Sequence, residues 1–470
     1  MRIYFLGIAG TAMGNAALLL RDSGNEVYGS DKAVYPPMSD KLAEAGVEVL
    51  EGYDASRLRG LNPDLVIVGN AYSRGNEEIE FLLDSREIPF ASLPEAMNRF
   101  VLSKRRNLVI TGTHGKTTTT ALAAYLLEKS GARPGYLIGG APIDPESGWN
   151  AGSSDGPFVI EGDEYDSAFF DKRSKFIHYL PRVAVVNNLE FDHADIFRDL
   201  EDVKRSFRHF CRIIPKNGYL LINGDDENAM SLLPAPWTRV LKVGEGKHCD
   251  LRIEQYKTTL TGSRFDLSWK GKPWRTVDWM MAGRFNARNA AMACLGAALI
   301  ADPEGDPISF KAEGIESFRG VSRRQQLRLK SEQLVVIEDF AHHPTAISEM
   351  LESIRDRFPS RKLIAAFEPR SNTSRLESMR GRLGEALSVA DAVLIGAAKQ
   401  ANSEGVALLD TEDLVSDMRS RGVEAHAARS NEDALQVLRE RWQSHSGKQL
   451  VIFLTNGSFG GIIDRFVDER

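Results

Sequence analysis

Residues 107 to 118 read Asn107-Leu108-Val109-Ile110-Thr111-Gly112-Thr113-His114-Gly115-Lys116-Thr117-Thr118. The opening Asn107-Leu108-Val109-Ile110 carries an apolar, β-branched run of the kind that makes a buried strand, and the Ala/Leu-rich segment beginning near Thr117 has helical spacing. Between them lies a phosphate loop. Its glycines let consecutive N–H groups turn toward a polyphosphate, Lys116 supplies a cation for the outer phosphates, and the Thr117 hydroxyl can reach Mg²⁺. Ile110 occupies the place of the first glycine of the usual Walker pattern. An ordinary strand-to-helix turn is the plain alternative, but such turns seldom combine Gly-Lys-Thr with this context.

The same alternation of β-branched runs with helix-period segments continues on both sides, the pattern of parallel sheets covered by helices. The fold class is therefore α/β, in three blocks. The first, residues 1–105, has strands at Arg2 to Leu6, Glu26 to Tyr28 and Asp64 to Val68, with a helix from Met13 to Asp22. The second, 106–320, adds strands at Phe158 to Ile160 and Val183 to Val186, antiparallel strands between Gly246 and Trp279, and an apolar helix after Asn286. The third, 321–470, has strands at Leu334 to Ile337, Leu363 to Phe367, Ala392 to Ile395 and Leu450 to Leu454.

Of the 470 residues, 42% are hydrophobic and 26% charged, a globular balance that excludes long disorder, collagen and coiled coil. The net charge of -6, with no single-sign tail, argues against a nucleic-acid partner. The apolar run Ala290 to Ala301 is too short to cross a bilayer, so no membrane insertion is expected and a buried helix is. The N-terminus breaks into glycines before a signal-peptide apolar region forms, so a cytoplasmic protein is expected. Cys211, Cys249 and Cys294 are too scattered for a disulfide framework or a Cys-x-x-Cys clip and read as buried thiols. Nothing here fixes an oligomeric state.

Other strand ends carry further polar clusters. Glu161-Gly162-Asp163-Glu164-Tyr165-Asp166 follows one strand and is placed to hold Mg²⁺ beside the loop; alone it would read as a solvated acidic turn. Asn187 to His193 follows another, so His193 can reach the same region as a metal ligand or orienter. Gly7-Ile8-Ala9-Gly10-Thr11-Ala12-Met13-Gly14 joins the first strand to its helix, where amides can hold a diphosphate, and Ser30 and Asp31 end the second strand, in reach of a ribose or uridine hydroxyl. The spacing Gly-x-x-Gly-x-x-x-Gly is not the dinucleotide fingerprint, and plain helix packing is its alternative. Asp339 to Pro344 and Glu368 to Thr373 mark the carboxyl edge of the third sheet. His342-His343 has no third histidine or cysteine at ligand spacing, so zinc is not expected there.

Taken in order, Gly112 to Thr118, Glu161, His193, Gly283 to Asn289, Ser322-Arg323-Arg324 and Asp339 to Pro344 resemble the Mur ligase family, ATP-dependent enzymes that join amino acids or peptides to a UDP-muramyl precursor of the cell wall. The resemblance covers essentially the whole chain. It implies three domains: an N-terminal Rossmann-like UDP-binding domain, a central P-loop ATPase domain and a C-terminal Rossmann-like domain. Within the family, Val34 to Ser39, Glu164 to Phe176, Asn188 to Phe197, Glu368 to Thr373 and Asn456 to Gly461 look like the branch that takes a tripeptide. The alanine-adding branch would have Glu-Ser-Asp where this chain has Glu164-Tyr165-Asp166.

The resemblance further implies that the substrates are UDP-N-acetylmuramate and the murein tripeptide L-alanyl-γ-D-glutamyl-meso-diaminopimelate, joined with ATP and Mg²⁺. Lys116, His193 and Arg324 are the expected catalytic residues. Gly112, Thr113, His114, Gly115, Lys116, Thr117, Thr118, Asn286, Asn289, Arg324 and Asp339 would serve ATP, and Thr117, Glu161 and His193 the metal. Gly7, Ala9, Gly10, Thr11, Met13, Ser30 and Asp31 would bind the UDP substrate, and Arg370, Ser371 and Asn372 the peptide. Arg324 and Asp339 come from the far side of a cleft, so full assembly would require domain closure. Some members carry a carbamylated lysine after the histidine segment; the matching place here falls near Phe207, with Lys204 closest, and none is expected. An alanine-adding ligase and a non-catalytic nucleotide-dependent regulatory protein are the alternatives.

Overall fold

The computed structural model, which describes residues 1–34, 38–398, 407–444 and 447–469, sets three large sheets in succession along the chain. Tyr35, Pro36 and Pro37 of the tripeptide-branch stretch lie outside the described residues. The first sheet is parallel and holds β1 (Arg2–Leu6), β2 (Glu26–Asp31), β3 (Glu48–Glu51), β4 (Leu65–Val68) and β5 (Phe90–Ser92). Its order is β3-β2-β1-β4-β5. The order reverses at β1, so the turn after Leu6 opens at a topological switch point, where doubly wound sheets bind ligands.

The central sheet has ten strands. They are β6 (Asn107–Thr111), β7 (Gly135–Leu137), β8 (Trp149–Asn150), β9 (Phe158–Glu161), β12 (Pro181–Val186), β13 (Tyr219–Asn223), β14 (Arg239–Gly244), β15 (Leu251–Thr258), β16 (Ser263–Trp269) and β17 (Lys272–Trp279), while β10 (Asp166–Ala168) and β11 (Asp171–Ser174) form a separate hairpin. The order β17-β16-β15-β14-β13-β12-β6-β9-β7-β8 puts β6 between β12 and β9, so three strands end side by side at one edge. Strands β15 to β17 are the expected antiparallel extension. The helices Lys116–Lys129 and Arg284–Ala301 pack against each other. Four threonines, Thr117 to Thr120, open the first of these helices, a β-branched run that ordinarily disfavours one. They are buried, and the hydroxyls of Thr119 and Thr120 donate back to the carbonyls of Gly115 and Lys116 at 2.8 Å, which satisfies them inside the core. No helix among the described residues is long and apolar enough to cross a membrane.

The third sheet contains β18 (Gln326–Lys330), β19 (Leu334–Asp339), β20 (Lys362–Phe367), β21 (Ala392–Ile395), β22 (Glu424–Ala427) and β23 (Gln449–Leu454), in the order β18-β19-β23-β20-β21-β22 with β18 alone antiparallel. Cys211, Cys249 and Cys294 are buried free thiols.

The first two sheets share one apolar core: Ile3, Leu19 and Leu93 cluster with Val109, Phe158 and Val186. The chain between them is anchored by Asn107, which is fully buried. Its amide Nδ2 donates to the carbonyls of Leu102, Tyr179 and Leu180 at 3.0, 3.2 and 3.1 Å. Asn107→Leu keeps the heavy-atom count and branching and removes the donor from two buried acceptors and a partly buried third, so unfolding stability should fall by about 1–3 kcal/mol. The check is the denaturant midpoint; an unchanged value would mean that those carbonyls find other partners.

Candidate active site

The loop after β6 is shaped by contacts that only its own residue types allow. Gly115 has φ +81, and a Cβ there would lie 2.4 Å from Asn289 Oδ1 and 2.7 Å from Asn187 Nδ2, so only glycine lets the loop pass under those two asparagines. Asn188 holds the loop from the end of β12: its Oδ1 accepts from the His114 N–H at 2.7 Å and its carbonyl from the Thr113 N–H at 3.2 Å. Lys116 folds back over the loop, and its Nζ donates to Gly112 O at 2.7 Å and to both carboxylate oxygens of Glu164 at 2.7 and 2.9 Å. Thr117 Oγ1 donates to Glu161 Oε1 at 2.9 Å, while Glu161 Oε2 accepts from the Gly139 N–H at 2.9 Å.

Glu164 also meets His193, whose Nε2 is 3.0 Å from its Oε1. Burial works against the charge on Lys116 and on His193, but the adjoining carboxylates outweigh it and raise both. Glu161 is lifted, chiefly by burial. Burial also opposes ionisation of Asp163, yet Lys175, at 2.6 Å, and Lys116 hold it down at about 2. The Tyr165 ring lies 4.3 Å from that of His193. Of the three metal candidates, Thr117 and Glu161 are therefore joined directly, and His193 is drawn to Glu164. An oxygen pair with an imidazole at its margin suits a hard divalent cation.

Across a cavity of about 550 Å³ stands a wall from the third sheet and its approach, including Arg324, Asp339, Phe340, His342 and His343, with Asn286 and Asn289 from the central helix. The Arg324 guanidinium lies over the Phe340 ring, 4.6 Å from its centroid, and among the described residues no carboxylate forms an ion pair with it. Its two neighbours, Arg323 and Gln325, have φ of +61 and +48, a strained arrangement typical of ligand clamps. Asp339 is buried; its oxygens accept from the N–H groups of Gln325 and Ala341 at 2.7 and 2.8 Å. The two walls already face one cavity, where sequence reasoning asked for a closing motion.

His342 and His343 gain neighbours that spacing does not reveal. The ring of His343 is 4.9 Å from that of His114, and its Nδ1 is 3.2 Å from Glu190 Oε2. Burial first, and then their mutual proximity, pushes His114 down; burial does the same to His343. The pair is a ring contact between the second and third sheets.

The N-terminal candidates form an adjoining loop, of which Thr11 lines the cavity. Gly10 caps the helix Thr11–Asp22 and no side chain accepts from its first turn. Asp31 faces inward along that loop, accepting from the Ala9 N–H at 2.9 Å and the Tyr72 hydroxyl at 3.2 Å. Ser30 is turned away from it: fully buried, its hydroxyl donates to Glu78 at 2.7 Å. Gly7, Ala9, Gly10, Met13, Ser30, Asp31 and Gly112 do not line the cavity, and neither do Arg370, Ser371 and Asn372. These last three follow β20, next to Thr373, whose Oγ1 accepts from the Ala194 N–H at 3.3 Å. Lys204 pairs with Glu201 at 3.2 Å, and Phe207 packs on Phe176, 5.2 Å between rings. Sequence reasoning passed over Glu164, Asn187, Asn188, Gln325 and Phe340. The first lay inside the quoted acidic run and the next two inside the quoted stretch after β12; Gln325 carries no local signal.

Three family models match in order: the Mur ligase family catalytic domain over residues 2–105, the Mur ligase middle domain over 110–297, and the Mur ligase glutamate ligase domain over 323–456. The chain is 43% identical over 397 residues to the UDP-N-acetylmuramate--L-alanyl-gamma-D-glutamyl-meso-2,6-diaminoheptandioate ligase of Escherichia coli (strain K12), covering 84% of each chain. It is 37% identical to the ligase of the same name from Haemophilus influenzae, over 99% of this chain and 98% of that one. Its fold is similar to that of a murein peptide ligase from Psychrobacter arcticus, with a TM-score of 0.70 at 34% identity, covering 100% of this chain and 98% of the other. With the three domains in order, a phosphate loop faced by an arginine across one cavity, and relatives this close over most of their length, the chain belongs to the Mur ligase family.

Proposed function

We propose that this chain is an ATP-dependent amide ligase that joins L-alanyl-γ-D-glutamyl-meso-diaminopimelate to UDP-N-acetylmuramate in peptidoglycan recycling. The observation that carries the reading is the cavity itself, with the Lys116 loop on one side and the unpaired Arg324 on the other. Two cations facing each other across a partly enclosed space suit a polyphosphate whose charge shifts during transfer. The substrate pair is supported by the two relatives named for this ligation.

In the first step a lactyl carboxylate oxygen takes the γ-phosphoryl group and ADP leaves. The tripeptide amine then attacks the carbonyl carbon of the acyl phosphate, inorganic phosphate departs with the bonding pair, and the amine loses a proton. No side-chain nucleophile is needed. Lys116 and Arg324 neutralise the moving charge, and Gly115 together with Asn188 fixes the loop that presents Lys116. Glu164 aligns Lys116 and His193 in one hydrogen-bonded row, and since Nε2 of His193 is taken by the carboxylate, its other ring nitrogen serves either the metal or the amine proton, not both at once. Thr117, Glu161 and His193 would hold Mg²⁺, whose contribution is to neutralise phosphate charge. Asn286 and Asn289 would lie beside the adenine, and the loop at Gly10 beside the diphosphate of the UDP substrate.

The test is phosphate release from ATP with UDP-N-acetylmuramate and, in turn, no amine, L-alanine or the tripeptide. Release should be fastest with the tripeptide; a preference for L-alanine would make the chain an alanine-adding ligase, and no release under any condition would favour a regulatory role.

Two variants probe the parts. Lys116→Ala should lower turnover by at least about a hundred-fold at saturating ATP and Mg²⁺, the scale of losing one donor to developing charge in a water-poor site. Near wild-type turnover would remove the phosphate loop from the mechanism. Gly10 has an ordinary φ of -68, and a Cβ there would approach no neighbour closer than 3.7 Å. Gly10→Val should therefore fold normally and raise the KM for UDP-N-acetylmuramate far more than that for ATP; equal effects on both would place the UDP substrate elsewhere.

A further inference from the structure

At the same carboxyl edge of the central sheet, beyond β12, the turns after β13 and β14 bring together three side chains that the ligation does not use. Asp225, His248 and Cys249 each offer a ligand atom, and these atoms all lie within 4.8 Å of one another. Each is oriented by backbone. The Asp225 carboxylate accepts from the Glu245 and Gly246 N–H groups at 2.6 and 3.0 Å. His248 Nε2 lies 2.8 Å from the Gly224 carbonyl; a carbonyl only accepts, so this nitrogen carries the proton and Nδ1 presents a lone pair. Gly246 keeps the intervening space open: a Cβ there would be 2.8 Å from both Asp225 Oδ1 and His248 Nδ1.

We infer that Asp225, His248 and Cys249 form a divalent-metal site for a borderline-soft cation of the zinc class, with water as the fourth ligand. One sulfur, one imidazole nitrogen and one carboxylate oxygen match the tetrahedral preference of zinc, and the sulfur discriminates against magnesium and calcium. Burial, with Asp225 adding to it, pushes the Cys249 thiol up to about 11; coordination therefore expels that proton to solvent as the sulfur–metal bond forms. Glu245, whose N–H holds Asp225, pairs through its carboxylate with Arg284 at the start of the helix that carries Asn286 and Asn289. A bound cation pins residues 245–249 and with them this support of the helix.

The experiment is titration of the reduced full-length protein with Co²⁺ in the presence of excess Mg²⁺, so that the phosphate-loop site is occupied. One equivalent should bind with a thiolate-to-cobalt charge-transfer band in the near ultraviolet, and Zn²⁺ should displace it. Cys249→Ser should abolish the band, and His248→Ala, at an exposed position, should weaken Co²⁺ binding by at least about ten-fold, the least that disturbing a metal ligand or its orienting partner costs. No band, or a band that survives Cys249→Ser, overturns the site. Should the serine variant fail to fold, an unchanged Co²⁺ affinity in His248→Ala overturns it equally.

Discussion

The ion pair between Lys116 and Glu164 is the interaction on which the rest of the site depends. Their side chains are 12% and 3% exposed, so both charges have left water, a transfer that is repaid only by close geometry and further hydrogen bonds. Both conditions are met: the ammonium has two carboxylate oxygens and the Gly112 carbonyl, and Glu164 has the imidazole of His193 as well. A lysine held in this way curls the loop around itself. It also makes Glu164 the internal stand-in for an anion, since a phosphate that approaches Nζ competes with a carboxylate already there.

The third sheet is joined to this arrangement by Phe191 and Phe285, which pack on its apolar core, and by polar contacts. Thr345 Oγ1 donates to Glu190 Oε2 at 2.7 Å, Gln325 exchanges hydrogen bonds with the backbone of Ala282 at 2.9 and 3.0 Å, and Arg288 approaches Glu349 at 3.5 Å. Such bonds contribute about 0.5–1.5 kcal/mol each, much less than the continuous apolar core that the first two sheets share. The first and central sheets, which share one apolar core, are the more continuously joined pair.

How much of this was legible in the sequence follows from burial. Strands with an uninterrupted apolar run, such as β6, β12, β19 and β23, declared themselves because helices cover both their faces. β3, β5, β18 and β22 did not, and neither did β7, β8, β13 and β14, of which β13 was passed over although all five of its residues are buried. Glu48 to Glu51 and Gln326 to Lys330 are edge strands with polar or exposed positions, and Phe90 to Ser92 has only three residues. The strand, turn and helix around Gly112 to Thr118 were legible because the signal lies in consecutive residues. Glu164 was quoted within an acidic run but could not be separated from its neighbours, since its role comes from where β9 and β12 end relative to β6. Ser30 misled for a related reason: a strand end predicts proximity to a ligand, and only packing against Glu78 and Tyr4 decides which way the hydroxyl turns.

Two glycines separate what the chain needs for itself from what it keeps for a ligand. Gly115 is dictated from within, by its φ and by asparagines that leave no room for a Cβ. Gly10 has neither constraint, so its own fold would accept a larger residue, and a helix N-terminus without a side-chain cap keeps its N–H groups outward. A bare residue where the protein has no use for bareness points to something that must come close to the backbone, and an anion at the first turn of that helix meets both conditions. The two loops thus differ in kind, one built around its own lysine and one without a side-chain cap, with Thr11 as the residue of the second that reaches the cavity of the first.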